Sequence, residues 1–89
     1  MSTTIAVIKE VLASVKGLDA PAASIADDAD IAADIGLDSI QMLQFMLELE
    51  ARLGIRIDFD RLDFDHLRAI DVLAGVLDTM PAADEGPPP

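Results

Sequence analysis

The 89-residue chain contains no cysteine, tryptophan or tyrosine, and Phe45, Phe59 and Phe64 are its only aromatic residues. Without cysteine there is neither a disulfide framework nor a thiolate metal site, so any thiol chemistry has to come from an added group. Basic residues are equally scarce: six Lys and Arg against seventeen Asp and Glu give a formal charge of −11. That balance repels nucleic acid and anionic lipid and favours partners with basic surfaces. Long apolar runs are missing too. The first, Ile5 to Ile8, is broken by Lys9 and Glu10, too short for a secretory core or a membrane span. The expectation is a cytoplasmic monomer that binds neither membrane nor nucleic acid.

The single histidine, His66, excludes most nucleophilic catalysis, because a serine nucleophile needs a base within hydrogen-bond reach. His66 stands between acids, and no Gly-x-Ser-x-Gly elbow occurs. Metal binding by a calcium loop also fails. Counting from Asp28, the glycine position holds Ala33 and the bidentate-acid position Ser39; counting from Asp58, they hold Asp63 and Ala69. The chain is therefore expected to have no catalytic residues and no metal site.

What is present is aliphatic and helical. Fourteen of the residues are alanine, and the length suits one small domain with little surface to bury. Ile5, Ile8, Leu12 and Val15 recur at helical spacing, with Ser2 or Thr3 as cap, predicting a helix over Thr3 to Lys16 that Gly17 stops. From Leu18 to Leu37 the chain has seven alanines and five aspartates, with Ile25, Ile31 and Ile35 as lone apolar points. This reads as a long loop pinned by three isoleucines, an arrangement that a compact domain tolerates only for a functional reason.

A second helix is predicted over Ser39 to Leu53, with Asp38 as N-cap, Gln41 closing a capping box and Gly54 as terminator. It carries two apolar stripes. At about 100° per residue, Met42, Phe45, Met46, Leu49 and Leu53 fall on one side and Ile40, Leu43 and Leu47 nearly opposite. One stripe is core; the other is either enclosed by the bundle or a docking surface rimmed by Gln41, Gln44 and Glu48 on one side and Glu50 on the other. Beyond it, Ile55, Ile57 and Phe59 alternate with polar residues but have no partner strand, predicting an extended connector. A short helical turn is expected around Asp60 to Asp63, with Phe59 and Leu62 pointing inward. Leu67, Ile70, Leu73, Leu77 and Met80 mark a last helix over about Ala69 to Thr79, without a Ser or Thr cap. Residues 81–89, with four prolines, read as a disordered tail after a domain spanning 1–80.

Ser39 is the residue on which chemistry converges. It follows a glycine turn, opens the second helix, and stands beside backbone N–H groups that lack intrahelical partners and favour an attached phosphate. The acids gather around it: between Lys16 and Arg52 there is no basic residue, while Asp19, Asp27, Asp28, Asp30, Asp34, Asp38, Glu48 and Glu50 all lie there.

The stretch Asp34-Ile35-Gly36-Leu37-Asp38-Ser39-Ile40, followed by the second helix and Gly54-Ile55-Arg56-Ile57, resembles the acyl carrier protein family and its motif Asp-Leu-Gly-x-Asp-Ser-Leu. The resemblance covers nearly the whole domain. It implies an all-α four-helix bundle with a long first loop and a short third helix, which gives the loop its reason. It further implies that Ser39 carries 4′-phosphopantetheine, installed from coenzyme A by a phosphopantetheinyl transferase, with acyl cargo held as thioesters on the terminal thiol. Leu37, Asp38, Ile40, Gln41, Leu43, Gln44, Leu47 and Glu48 would then form the surface that acyl-loading and acyl-using enzymes dock against. Ile40 replaces the commoner leucine of the motif. Gln41 and Gln44 stand where many fatty-acid carriers have acids, which points away from a general fatty-acid synthase and toward a dedicated polyketide, lipopeptide or specialised fatty-acid pathway. Peptidyl carriers more often have Gly-Gly-His-Ser or Gly-Gly-Asp-Ser, so Gly36-Leu37 leans to acyl over aminoacyl cargo. The alternatives are an aminoacyl or peptidyl carrier and an unmodified acidic helical interaction module.

Overall fold

The computed structural model describes residues 3–17, 19 and 21–82. Helix α1 runs over Thr3–Lys16, α2 over Ser39–Leu53 and α3 over Ile70–Leu77, with a short 3-10 helix, Phe64–Arg68, between α2 and α3. The expected all-α bundle with a short third helix is what forms, and the described residues hold no β-strand. The bounds of α1 and α2 match those predicted. Ser2, proposed as a cap of α1, lies outside the described residues, as do 83–89 of the predicted tail.

The core is built from one face of each helix. Ile8, Val11 and Leu12 of α1 meet Phe45, Met46 and Leu49 of α2 and Ile70, Leu73, Ala74 and Leu77 of α3. Because α2 buries only this stripe, its opposite side is free to face solvent.

The long loop holds two turns, a 3-10 turn at Ala22–Ser24 and a wide π-type turn at Ile31–Ile35. Ile31 is fully buried, and Ile25 and Ile35 pack half-buried against the core. The three isoleucines therefore do anchor it. Polar ties add to them: Lys9 of α1 pairs with Asp27, and Asp30 caps the second turn by accepting the Ala33 N–H at 2.8 Å. The loop also reaches the far end of the bundle. Its Asp27 and Ala29 carbonyls accept the N–H groups of Asp71 and Ile70 at 2.8 and 3.1 Å, satisfying donors at the start of a helix that has no capping side chain of its own.

Several expectations after α2 need correction. The short third helix is Phe64–Arg68, where Leu67 is the buried residue presented to the core; around 60–63 the chain makes only a turn, with the Arg61 N–H donating to the Asp58 carbonyl at 3.1 Å, and Leu62 packs half-buried against the core as expected. Phe59, predicted to point inward, is 56% exposed; the Ile55 to Phe59 alternation leaves Ile57 alone fully inside. Finally, Ile55 does find a partner. It forms an isolated antiparallel bridge with Ala82, and the Arg56 N–H donates to the Pro81 carbonyl at 2.9 Å. Pro81 and Ala82 thus contact the bundle, although they fall in the segment predicted to be a loose tail. The last helix is also shorter than predicted, since Ala69 is extended (φ −151°, ψ 135°) and Asp78 closes the other end.

Candidate functional site

Ser39 is the first residue of α2 and is exposed. The turn before it is set by Gly36, whose φ of 74° is left-handed and open only to glycine without strain. Lys16, the last residue of α1, donates to the Gly36 carbonyl at 3.0 Å and ties this turn to the end of the first helix.

Asp38 then starts α2 on its own resources. Its Oδ1 accepts the Gln41 N–H at 2.7 Å, and Gln41 Oε1 accepts the Asp38 N–H at 3.2 Å, a reciprocal capping box of the predicted kind. Two consequences follow for Ser39. Its hydroxyl has no role in the cap and makes no hydrogen bond among the described residues. The Ser39 and Ile40 N–H groups likewise have no acceptor there, so they contribute the positive end of the helix dipole beside the hydroxyl.

The other predicted site residues separate into groups. Ile40, Leu43 and Leu47 are 70%, 57% and 55% exposed, so the second stripe is not enclosed by the bundle. Gln44 is exposed beside them. Leu37 is half-buried against the core, and Asp38 and Gln41 are joined in the cap. Glu48 accepts from Arg52 Nε at 3.3 Å, and Arg52 in turn reaches Glu10 of α1 at 3.6 Å. Glu50 faces away and accepts the Ile57 N–H at 2.9 Å, so it does not complete the predicted rim. Lys16 and Arg52 were missed by sequence reasoning. The i,i+4 spacing of Glu48 and Arg52 was a legible signal; the Lys16 contact, spanning twenty residues, had none.

Among the described residues no group of three or more acids and histidines could hold a metal ion, and no helix is long and apolar enough to cross a membrane. His66 uses Nδ1 to accept the Asp63 N–H at 2.8 Å, the task of a capping side chain.

Residues 6–77 match the family model described as the phosphopantetheine attachment site. The chain belongs to that carrier family. Its group, 4′-phosphopantetheine, is attached through a phosphoester, and an exposed hydroxyl beside unpaired helix N–H groups fits such an attachment. The chain is also similar to an acyl carrier protein of Saccharopolyspora erythraea, 34% identical over 56 residues that cover 63% of this chain and 57% of that protein. The match thus spans little more than half of the relative's length.

Proposed function

We propose that this carrier bears 4′-phosphopantetheine on Ser39 and conveys acyl groups between enzymes of a dedicated polyketide, lipopeptide or specialised fatty-acid pathway. The observation that supports it most is the state of Ser39: exposed at a helix start that is already capped by other residues, with its hydroxyl making no hydrogen bond among the described residues. The acyl carrier protein of Saccharopolyspora erythraea points to acyl over aminoacyl cargo.

In this reading the chain catalyses nothing itself. A phosphopantetheinyl transferase removes the proton from the Ser39 hydroxyl, the oxygen bonds to the phosphorus nearer the pantetheine in coenzyme A, and adenosine bisphosphate leaves. The attached group supplies a terminal thiol on which acyl chains ride as thioesters. The chain's own residues orient and present. Asp38 and Gln41 hold the first turn of α2, Lys16 and Gly36 fix the approach to it, and Ile40, Leu43 and Leu47 offer apolar contact to each enzyme. Tethering raises the effective concentration of the cargo at every partner.

Incubation of the protein with coenzyme A and a broad-specificity phosphopantetheinyl transferase, followed by intact-mass measurement, tests the reading. One added phosphopantetheine is expected, and none in Ser39→Ala. An unmodified wild-type chain would leave the unmodified acidic interaction module as the better account.

A further inference from the structure

Lys16 is held differently from the ion-paired bases of the chain. Lys9, Arg52 and Arg68 are each paired with a carboxylate. Lys16, half-buried at the end of α1, has no acidic partner among the described residues and donates to the Gly36 carbonyl at 3.0 Å. In a chain of net charge −11 this is not for want of acids. Asp34 and Asp38, on either side of Gly36, use their carboxylates on backbone N–H groups, those of Asp30 at 3.0 Å and Gln41 at 2.7 Å. A lysine in the last turn of a helix already suits the helix dipole, but that does not explain why its side chain crosses to a turn twenty residues further on. Gly36 lies three residues before Ser39, so the Lys16 ammonium stands at the turn that leads into the attachment residue. An ammonium has three N–H donors, and the Gly36 carbonyl takes one of them.

We propose that Lys16 is the counter-ion of the phosphodiester carried on Ser39. This rests on the carrier reading above and adds a binding residue for the attached group. The phosphodiester brings one more negative charge beside Asp38, into a stretch from 17 to 51 that contains no basic residue. The free N–H groups at the start of α2 offset part of that charge, and a full positive charge at the end of α1 offsets more. Lys16 keeps its bond to Gly36 and turns its remaining donors to the phosphate oxygens, so the root of the arm is tied to α1 as well as to α2.

The role can be separated from a purely structural one. A lysine that serves only the dipole and the Gly36 turn matters equally before and after modification, whereas one that meets the phosphate matters more afterwards. The test uses the full chain, unmodified and fully converted with coenzyme A and a broad-specificity phosphopantetheinyl transferase, with conversion checked by intact mass. At low salt, Lys16→Gln should lower the thermal midpoint of the modified form by about 2 °C more than that of the unmodified form. The extra loss should vanish at high salt, where exposed charges are screened. Lys9→Gln removes the same charge from α1 along with its pair to Asp27, and should lower the two forms equally. NMR of the wild-type chain gives a second readout that needs no variant: the Lys16 Cε and Nζ resonances should move on modification while those of Lys9 stay. Equal losses in the two forms of Lys16→Gln, an extra loss of the same size in Lys9→Gln, or Lys16 resonances that do not move would overturn the counter-ion role and leave the carrier reading intact. A wild-type chain that accepts no phosphopantetheine overturns both.

Discussion

Helices α2 and α3 begin in opposite ways. At α2 the cap is local: Asp38 and Gln41 satisfy each other's N–H groups within four residues. At α3 the N–H groups of Ile70 and Asp71 donate to the Ala29 and Asp27 carbonyls, about forty residues away in sequence. The first residue of each helix reflects the difference. Ile70 is 0% exposed, because the loop that caps α3 also covers it; Ser39 is exposed, because nothing from elsewhere in the chain has to lie over it. A helix start that caps itself leaves its first residue open to an enzyme, whereas one capped by tertiary contacts is sealed into the core.

That contrast can be broken from either side. Ile70→Ala removes a fully buried side chain from beneath the loop and should cost about 3 kcal/mol in urea unfolding, a large part of the stability of so small a domain. A loss below about 1 kcal/mol would mean that the α3 start is not sealed as described. Asp38→Ala should cost about 1 kcal/mol by removing the local cap, and Asp38→Asn should recover most of it, since the amide oxygen still accepts the Gln41 N–H. Equal losses for the two variants would show that charge, and not the hydrogen bond, matters at this position. Gly75→Ala should raise stability by about 0.5 to 1 kcal/mol, because a Cβ there meets nothing within 4 Å and α3 has the least intrinsic support. A thermal midpoint that falls would contradict this. The smallest effect is expected on the exposed stripe: Leu43→Ala should change stability by less than about 0.5 kcal/mol, and a larger loss would show that the stripe is covered.

The same contrast explains what was legible in the sequence. The bounds of α1 and α2 and the identity of the cap at Asp38 could be read from neighbouring residues, because Gly17, Asp38, Gln41 and Gly54 act on groups within a few positions of themselves. The candidate site shares that advantage, since Gly36, Asp38 and Ser39 are adjacent. From Ile55 to Ala69 the extended connector is legible, but the features that depend on distant partners are not. Its bridge is to Ala82, Phe59 lies outside the core, and the break at Ala69 is set by carbonyls of the first loop. Leu67 continues the apolar spacing of the last helix, but that spacing does not reveal the extended Ala69 that separates it from Ile70. On α2 the wheel separated the two stripes; whether the second was covered could be learned only from the packed bundle.

The central claim is that the self-capped start of α2 makes Ser39 the attachment residue. Fragmentation mass spectrometry of the protein after transfer from coenzyme A locates the added group among Ser2, Ser14, Ser24 and Ser39. The account predicts a single phosphopantetheine, confined to Ser39. A group found on any of the other three serines, or persisting in Ser39→Ala, would contradict it.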